Sequence, residues 1–79
     1  MEILLELIYF GFQNEILRKG YFPVNKKKFK EEADKAAADA ALTWINKIRV
    51  EENLSKIIRV KYNNVDITDK VIDLDRIYD

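Results

Sequence analysis

Residues 26–49, KKKFKEEADKAAADAALTWINKIR, carry the most regular hydrophobic pattern in this chain of 79 residues. At about 100° per residue, the period of an α-helix, the apolar side chains fall on one face and the charged ones opposite. That face holds Phe29, Ala33, Ala36, Ala37, Ala40, Ala41, Trp44 and Ile48. Asn25 is a candidate N-cap, because its side chain can accept a hydrogen bond from the first free backbone N–H groups. We predict one amphipathic helix over residues 26–49, with alanines that let another backbone approach closely.

The preceding segment, EILLELIYFGFQNEILRK at residues 2–19, is strongly apolar. Two glutamates lie near its start and Arg18 and Lys19 lie at its end, which is the order that the helix dipole favours. Gly20 then suits the position that follows a helix. We therefore predict a helix over residues 2–19. A strand over residues 3–10 remains as the alternative, because the run is short and rich in aromatic side chains.

The C-terminal third alternates between apolar and charged side chains. Residues 56–62 show this period of two, as a half-buried strand does. Asn63-Asn64 suits a type I′ turn, since Asn tolerates a positive φ. Residues 65–67 and 71–78 are predicted as two further strands. The fold prediction is a single α+β domain over the whole chain, with two helices followed by a three-stranded antiparallel meander (ααβββ).

The run from Ile58 to Val71, IRVKYNNVDITDKV, together with Ile77-Tyr78-Asp79, resembles the opening β segment of phage tail and baseplate-hub proteins. Those proteins often begin with a strand, a YNG turn, a DIT stretch and a further strand. Asn64 stands here where that family usually has Gly, and two predicted helices precede the segment. The resemblance implies a phage or prophage protein. It carries over no functional residue.

Composition excludes most catalytic and metal chemistry. The chain has no Cys and no His, which removes disulfides, thiolate zinc sites and Ser-His or Cys-His triads. Its two glycines cannot form the Gly-rich loops that bind phosphates. Asp73 and Asp75 lie two apart on the last predicted strand, but no third metal ligand accompanies them. We predict a non-enzyme without cofactor or metal.

The chain is predicted to be cytoplasmic, in the host cytoplasm if it is phage-encoded. Glu2 and Glu6 interrupt the N-terminal apolar run, which lacks the basic start of a signal peptide. The run is also shorter than the roughly 20 apolar residues that span a bilayer. The absence of cysteine fits a reducing compartment. We expect no contact with a membrane.

The apolar side chains of residues 3–12 extend nearly around the circumference of the predicted first helix. The alanine face of the second helix covers only part of that circumference. We therefore predict an interface with a second copy or another protein. Its candidate residues are Leu5, Ile8, Tyr9, Phe12 and Ile16. The alternative is a first helix enclosed between the second helix and the sheet of the same monomer.

A cluster of positive charge surrounds the start of the second predicted helix. Residues 18–30 contain six basic residues and no acidic one, although the chain as a whole has 14 of each sign. Three acidic residues follow at once and cancel much of the field. We predict contact with an anion or an acidic partner surface. The candidate residues are Lys26, Lys27, Lys28 and Lys30.

Together these features predict a small non-enzymatic protein-binding module that acts as a homo-oligomer. Its predicted role is that of a phage-encoded inhibitor of a host or defence protein, by analogy with other proteins of this size. One alternative is a nucleic-acid-binding accessory protein that uses the Lys26–Lys30 cluster. A structural component of a virion or tail is another. Binding of nucleic acid would weaken steeply with salt, whereas apolar docking would not.

Overall fold

The chain begins with a β-hairpin, and the helix predicted over residues 2–19 is wrong. The structure, a computed structural model, describes residues 1–77. Its elements in chain order are β1 (Glu2–Gly11), β2 (Asn14–Pro23), α1 (Lys26–Glu31), α2 (Ala33–Glu52), β3 (Lys56–Tyr62), β4 (Val65–Asp66) and α3 (Thr68–Ile77). The order ββααββα replaces the predicted ααβββ. The α+β class is confirmed.

The burial of β1 explains why this segment forms a strand. Its odd-numbered positions are buried and its even-numbered ones are more exposed, the period of two that a strand requires. The buried set is Ile3, Leu5, Leu7, Tyr9 and Gly11. The alternation is hard to see in the sequence, because Leu4, Ile8 and Phe10 on the other face are apolar as well.

Phe12 and Gln13 form the hairpin turn. Their φ angles are 51° and 72°, in the left-handed region, as the two central residues of a type I′ turn require. Asn and Gly usually occupy such positions. The sequence therefore carries no ordinary turn signal between the two strands. Gly20, expected after a helix, instead lies within β2, where a Cβ atom would come within 2.9 Å of the Phe22 ring.

One four-stranded antiparallel sheet, in the order β2-β1-β3-β4, organises the molecule. Leu5 of β1 lies between Gly20 of β2 and Tyr62 of β3. The buried side chains of β1 and β3 form one hydrophobic cluster with those of α2 and α3, so the helices lie on one face of the sheet. We call this the helix side and the opposite face the outer face.

The helix predicted over residues 26–49 is present but interrupted. Glu32, with φ −143° and ψ 76°, separates α1 from α2. Asn25 is confirmed as the N-cap of α1, since its Oδ1 accepts a 3.1 Å hydrogen bond from the Lys28 backbone N–H. The buried face of α2 is rotated from the predicted one. It consists of Ala37, Ala38, Ala41, Leu42, Ile45 and Ile48, while Ala40 and Trp44 are only partly buried.

At the C-terminus, the predicted strands over residues 56–62 and 65–67 appear as β3 and the two-residue β4. The Asn63-Asn64 turn is confirmed, with φ angles of 46° and 68°. The third strand predicted over residues 71–78 is wrong, because α3 occupies this segment as far as the description extends. Tyr78 and Asp79 lie outside the described residues.

The spacing of buried residues explains α3. Ile67 and Val71 are buried and Leu74 packs against the same cluster, so the apolar positions follow the i, i+4, i+7 spacing of a helix. Asp66 Oδ1 accepts a 2.9 Å hydrogen bond from the Thr68 N–H, one of the N–H groups that the helix itself leaves free.

A candidate protein-docking surface

Five apolar side chains lie on the outer face of the sheet, where β1 pairs with β2. The cross-strand register places Leu4 opposite Tyr21 and Ile8 opposite Leu17, with Phe10 next along β1. Leu4 and Ile8 are half-buried, whereas Phe10, Leu17 and Tyr21 are 40%, 56% and 69% exposed. Within residues 1–77 the helices pack on the helix side of the sheet and leave the outer face uncovered. This apolar patch is therefore open to solvent.

Charged side chains interrupt the apolar patch on the same face, because the Glu6–Lys19 pair lies between the Leu4–Tyr21 pair and the Ile8–Leu17 pair. Glu6 lies between Lys19 of β2 and Lys61 of β3 in the cross-strand register. The Lys19 Nζ lies 3.8 Å from the Glu6 carboxylate, and Arg59 pairs with Asp66 at 2.8 Å. The outer face thus alternates apolar pairs with charges of both signs, and a mixture of apolar and polar area is typical of protein-binding surfaces.

The outer edge of β2 offers unpaired backbone groups. The Val24 N–H donates to the Met1 carbonyl at 2.8 Å, so Met1 and Val24 form a hydrogen-bonded pair. Hydrogen-bonded and non-hydrogen-bonded pairs alternate along an antiparallel hairpin, and this bond therefore assigns every pair of β1 and β2. Even-numbered residues of β2 therefore bond to β1, and the N–H and C=O groups of odd-numbered residues point away from the sheet. Pro23, which has no N–H, falls at an odd position, as expected for a proline in an edge strand. The free backbone groups belong to Glu15, Leu17, Lys19 and Tyr21.

The opposite edge of the sheet is short. β4 contains only Val65 and Asp66, and very short edge strands discourage pairing with other chains. β2 has ten residues. Among the described residues it provides the longest free edge; on the other side β4 covers only Lys61 and Tyr62 of β3, and the Val60 N–H of β3 donates to the Thr68 hydroxyl.

A groove of about 640 Å³ lies between β2 and α2, next to this free edge. Leu17 and Phe22 line it from the strand, and Trp44, Lys47 and Ile48 line it from the helix. The rings of Phe22 and Trp44 pack with their centroids 4.6 Å apart. At this margin the helix layer only partly covers the sheet.

Arg18 closes one end of the groove from the helix side of β2. Its Nε donates a 3.1 Å hydrogen bond to the Tyr9 hydroxyl, and its guanidinium pairs with Glu52. The bond to Tyr9 is the main cause that raises the pKa of Arg18, with the charge of Glu52 adding to it. These contacts tie β2 to the end of α2.

The predicted interface residues do not share one surface. Leu5 and Tyr9 are 0% exposed and belong to the monomer's own core. Ile16 lies on the helix side of β2, opposite Tyr9, and packs against the core. Ile8 lies on the outer face, and Phe12 is 66% exposed at the hairpin turn. The free edge of β2 was missed, although Glu15, Lys19 and Pro23 are the residues that mark it in the sequence.

The predicted lysine cluster lies on α1. Lys26, Lys27, Lys28 and Lys30 are all exposed. Phe29 points inward instead and meets the Tyr62 ring edge-on, at 5.9 Å between centroids. Lys28 shares a small cleft with Lys35 and with three acidic residues of α1, α2 and the residue between them. The local field is therefore of mixed sign.

Tyr62, Asp34 and Lys70 form a chain of polar contacts between β3, α2 and α3. The Tyr62 hydroxyl donates to Asp34, whose second oxygen accepts from Lys70 at 2.9 Å. The bond to the Asp34 carboxylate raises the pKa of Tyr62 to about 12. The same bond, followed by the one from Lys70, lowers the pKa of Asp34. This cluster joins three elements of the fold.

The raised pKa of Tyr62 predicts a loss of stability in alkali. Between an unfolded pKa of about 10 and the folded value of about 12, the unfolded chain releases this proton first. The free energy of unfolding must therefore fall as pH rises through that window. Urea denaturation at about pH 8 and about pH 11 should show a smaller loss for Tyr62→Phe than for the wild type. Equal losses of stability in the wild type and in Tyr62→Phe would contradict the linkage.

The acidic residues of the C-terminus do not act as the pair considered from the sequence. On a helix, Asp73 and Asp75 point in different directions. Asp75 instead receives two hydrogen bonds from Arg49, at 2.8 and 2.7 Å, which lower its pKa. Within residues 1–77, no three Asp or Glu side chains gather closely enough to hold a metal ion.

Comparison of the chain with protein-family models, with curated proteins and with solved structures gave no match. None of the helices in residues 1–77 has the length and apolar content needed to cross a membrane.

Proposed function

We propose that this chain is a small non-enzymatic protein-binding module that acts as a homo-oligomer. Its docking surface consists of the outer face and the adjoining free edge of β2. The observation that carries the proposal is the apolar patch of the outer face, in which Leu17 and Tyr21 stay more than half exposed next to unpaired backbone groups. Large apolar side chains collected on one strand pair favour association with another protein.

The energetic scale suits reversible association. Complete burial of a Leu or Phe side chain contributes roughly 1.5–3 kcal/mol. Phe10, Leu17 and Tyr21 from each subunit offer several such contributions, against association costs of about 4–15 kcal/mol. Backbone pairing along the edge of β2 would add to the apolar contribution. The role as a phage-encoded inhibitor of a host or defence protein stays a prediction, as does the phage origin itself.

Light scattering during size exclusion tests the proposal. At micromolar concentration the wild type is expected to show a multiple of the 9.4 kDa monomer mass. Leu17→Lys places a charge on the docking surface and should shift the particle towards the monomer. Val50→Lys is the matched control, because Val50 is 88% exposed on α2 and away from that surface.

Two results would contradict the proposal. A wild-type mass of 9.4 kDa that does not change on tenfold concentration would exclude the homo-oligomer. An oligomer that Leu17→Lys and Val50→Lys leave equally intact would place the interface elsewhere. Far-UV circular dichroism of both variants confirms that they remain folded.

A further inference from the structure

We infer that two copies of this chain join through the free edges of their β2 strands, antiparallel about a two-fold axis at Leu17. The two sheets then form one continuous sheet of eight strands. This inference rests on the homo-oligomer part of the proposed function and places the contact between subunits at the β2 edge, where the two Leu17 side chains meet; Leu4, Ile8 and Phe10 of β1 stay on the open outer face of the joined sheet.

The two edges of the sheet favour a closed dimer. Pairing of β2 with β4 of another copy would build an open chain of molecules, but β4 offers only two residues. Pairing of β2 with β2 uses the longest edge twice and leaves the β3–β4 sides at the two ends of the joined sheet. Such an isologous contact closes after two subunits.

The charges on β2 select the register. When Leu17 lies opposite the partner's Leu17, Glu15 lies opposite the partner's Lys19. By the two-fold symmetry, Lys19 lies opposite the partner's Glu15. The odd-numbered residues also carry the free N–H and C=O groups, so these pairs are the hydrogen-bonded ones of an antiparallel ladder. Lys19 already neighbours Glu6 in its own chain, at 3.8 Å. Each Lys19 would therefore lie between Glu6 of its own chain and the partner's Glu15.

Neighbouring registers lack this complementarity. A shift of two residues in one direction places Arg18 opposite the partner's Arg18. The opposite shift leaves Glu15 and Lys19 without a residue of opposite charge across the interface. Like charges directly opposite each other destabilise a strand pair, whereas opposite charges stabilise it.

The groove beside β2 suits the same arrangement. In this register the partner's hairpin turn, which carries Phe12, comes opposite Phe22. Phe22 and Trp44 form the apolar wall of the groove at that end. Phe12 is 66% exposed in the monomer, and the dimer gives it an apolar neighbour.

A charge exchange between subunits tests the register. Glu15→Lys and Lys19→Glu each place two like-charged pairs across the interface. Each variant alone should dimerise about tenfold more weakly than the wild type, since two cross-strand pairs change sign. An equimolar mixture should form a heterodimer with affinity near the wild-type value, because Lys at position 15 then faces Glu at position 19. Glu31→Lys and Lys27→Glu, on the exposed surface of α1, are the controls.

Sedimentation equilibrium measures the dimer dissociation constant of each variant alone and of the mixture. Variants that dimerise as tightly as the wild type overturn the inference while leaving the proposed function in place. Weakened variants that do not recover on mixing overturn this register. A wild type that stays monomeric overturns the homo-oligomer itself. Circular dichroism confirms that each variant is folded.

A cysteine scan gives a second, independent readout, because the chain has no cysteine of its own. Leu17→Cys places two thiols across the two-fold axis, where the Cα atoms of a hydrogen-bonded pair lie about 5.5 Å apart, within disulfide range. Two Tyr21→Cys thiols would lie roughly 26 Å apart along the strands. Mild oxidation should therefore crosslink Leu17→Cys and leave Tyr21→Cys single on a non-reducing gel. Crosslinking of Tyr21→Cys, or of neither variant, overturns the proposed geometry.

Discussion

Leu5→Glu and Leu7→Glu are expected to unfold the protein, whereas Leu4→Glu and Ile8→Glu should leave it folded. Leu5 and Leu7 are 0% exposed in the core between the sheet and α2. A carboxylate there would lose its hydration without gaining a partner, which costs at least several kcal/mol. Small domains have a total stability of only about 5–15 kcal/mol. The alternate positions point to the outer face, where a carboxylate keeps its water.

Circular dichroism and urea denaturation of the four variants measure this difference. The pattern separates a strand from a helix, because a helix would place Leu4, Leu7 and Ile8 on one side and Leu5 on another. Equal behaviour of Leu7→Glu and Ile8→Glu would contradict the hairpin. The strand predicts that Leu7→Glu differs from Ile8→Glu as sharply as Leu5→Glu differs from Leu4→Glu.

Val71→Asp is expected to cause the second large loss of stability. Val71 is 0% exposed, and α3 packs through it against α2 and β3. The buried charge should either unfold the chain or release α3 from the sheet, at a cost above about 3 kcal/mol. Ile77→Asp, at a residue of the same helix that is 75% exposed, is the control.

Urea denaturation followed by the fluorescence of Trp44 measures the effect. A loss of no more than about 0.5 kcal/mol, the usual size of a surface substitution, would show that Val71 does not lie in the core. Val71 would then fit the strand that alternation first indicated, with Ile72 and Leu74 as the inward residues.

The parts of the fold that could be predicted are those with a single strong local signal. The amphipathic pattern of residues 26–49 gave a helix, although not its interruption at Glu32. Asn25 was recognised as a cap from its side-chain chemistry, and Asn63-Asn64 as a turn from the tolerance of Asn for positive φ. The strand at residues 56–62 was confirmed with its predicted bounds.

The hairpin could not be predicted, because its two usual signals are absent. β1 is apolar on both faces, so its alternation is hidden, and its turn contains Phe12 and Gln13 in place of Asn and Gly. α3 was missed for a related reason. The apolar residues from Val71 to Leu74 are few enough to fit a period of two as well as one of 3.6. Packing against β3 and α2 selects the helix.

The apolar excess of residues 3–12 has a structural explanation that also bears on function. Four of these side chains, from Ile3, Leu5, Leu7 and Tyr9, fill the core, three belong to the apolar patch of the outer face, and Phe12 lies exposed at the hairpin turn. The sequence predicted a surface that needs a partner, but it could not show which of them stay exposed. That depends on strand pairing, which joins residues distant in the chain.

Backbone hydrogen exchange along β2, followed by NMR at high and low protein concentration, tests the dimer most directly. Exchange slows where an N–H group is hydrogen-bonded in a stable structure. The amides of Arg18 and Gly20, which bond to β1, should be protected at both concentrations. The amides of Leu17 and Lys19 point away from the sheet and should gain protection only where the chain is dimeric. Rapid exchange of Leu17 and Lys19 in a sample that light scattering shows to be dimeric would contradict pairing through β2.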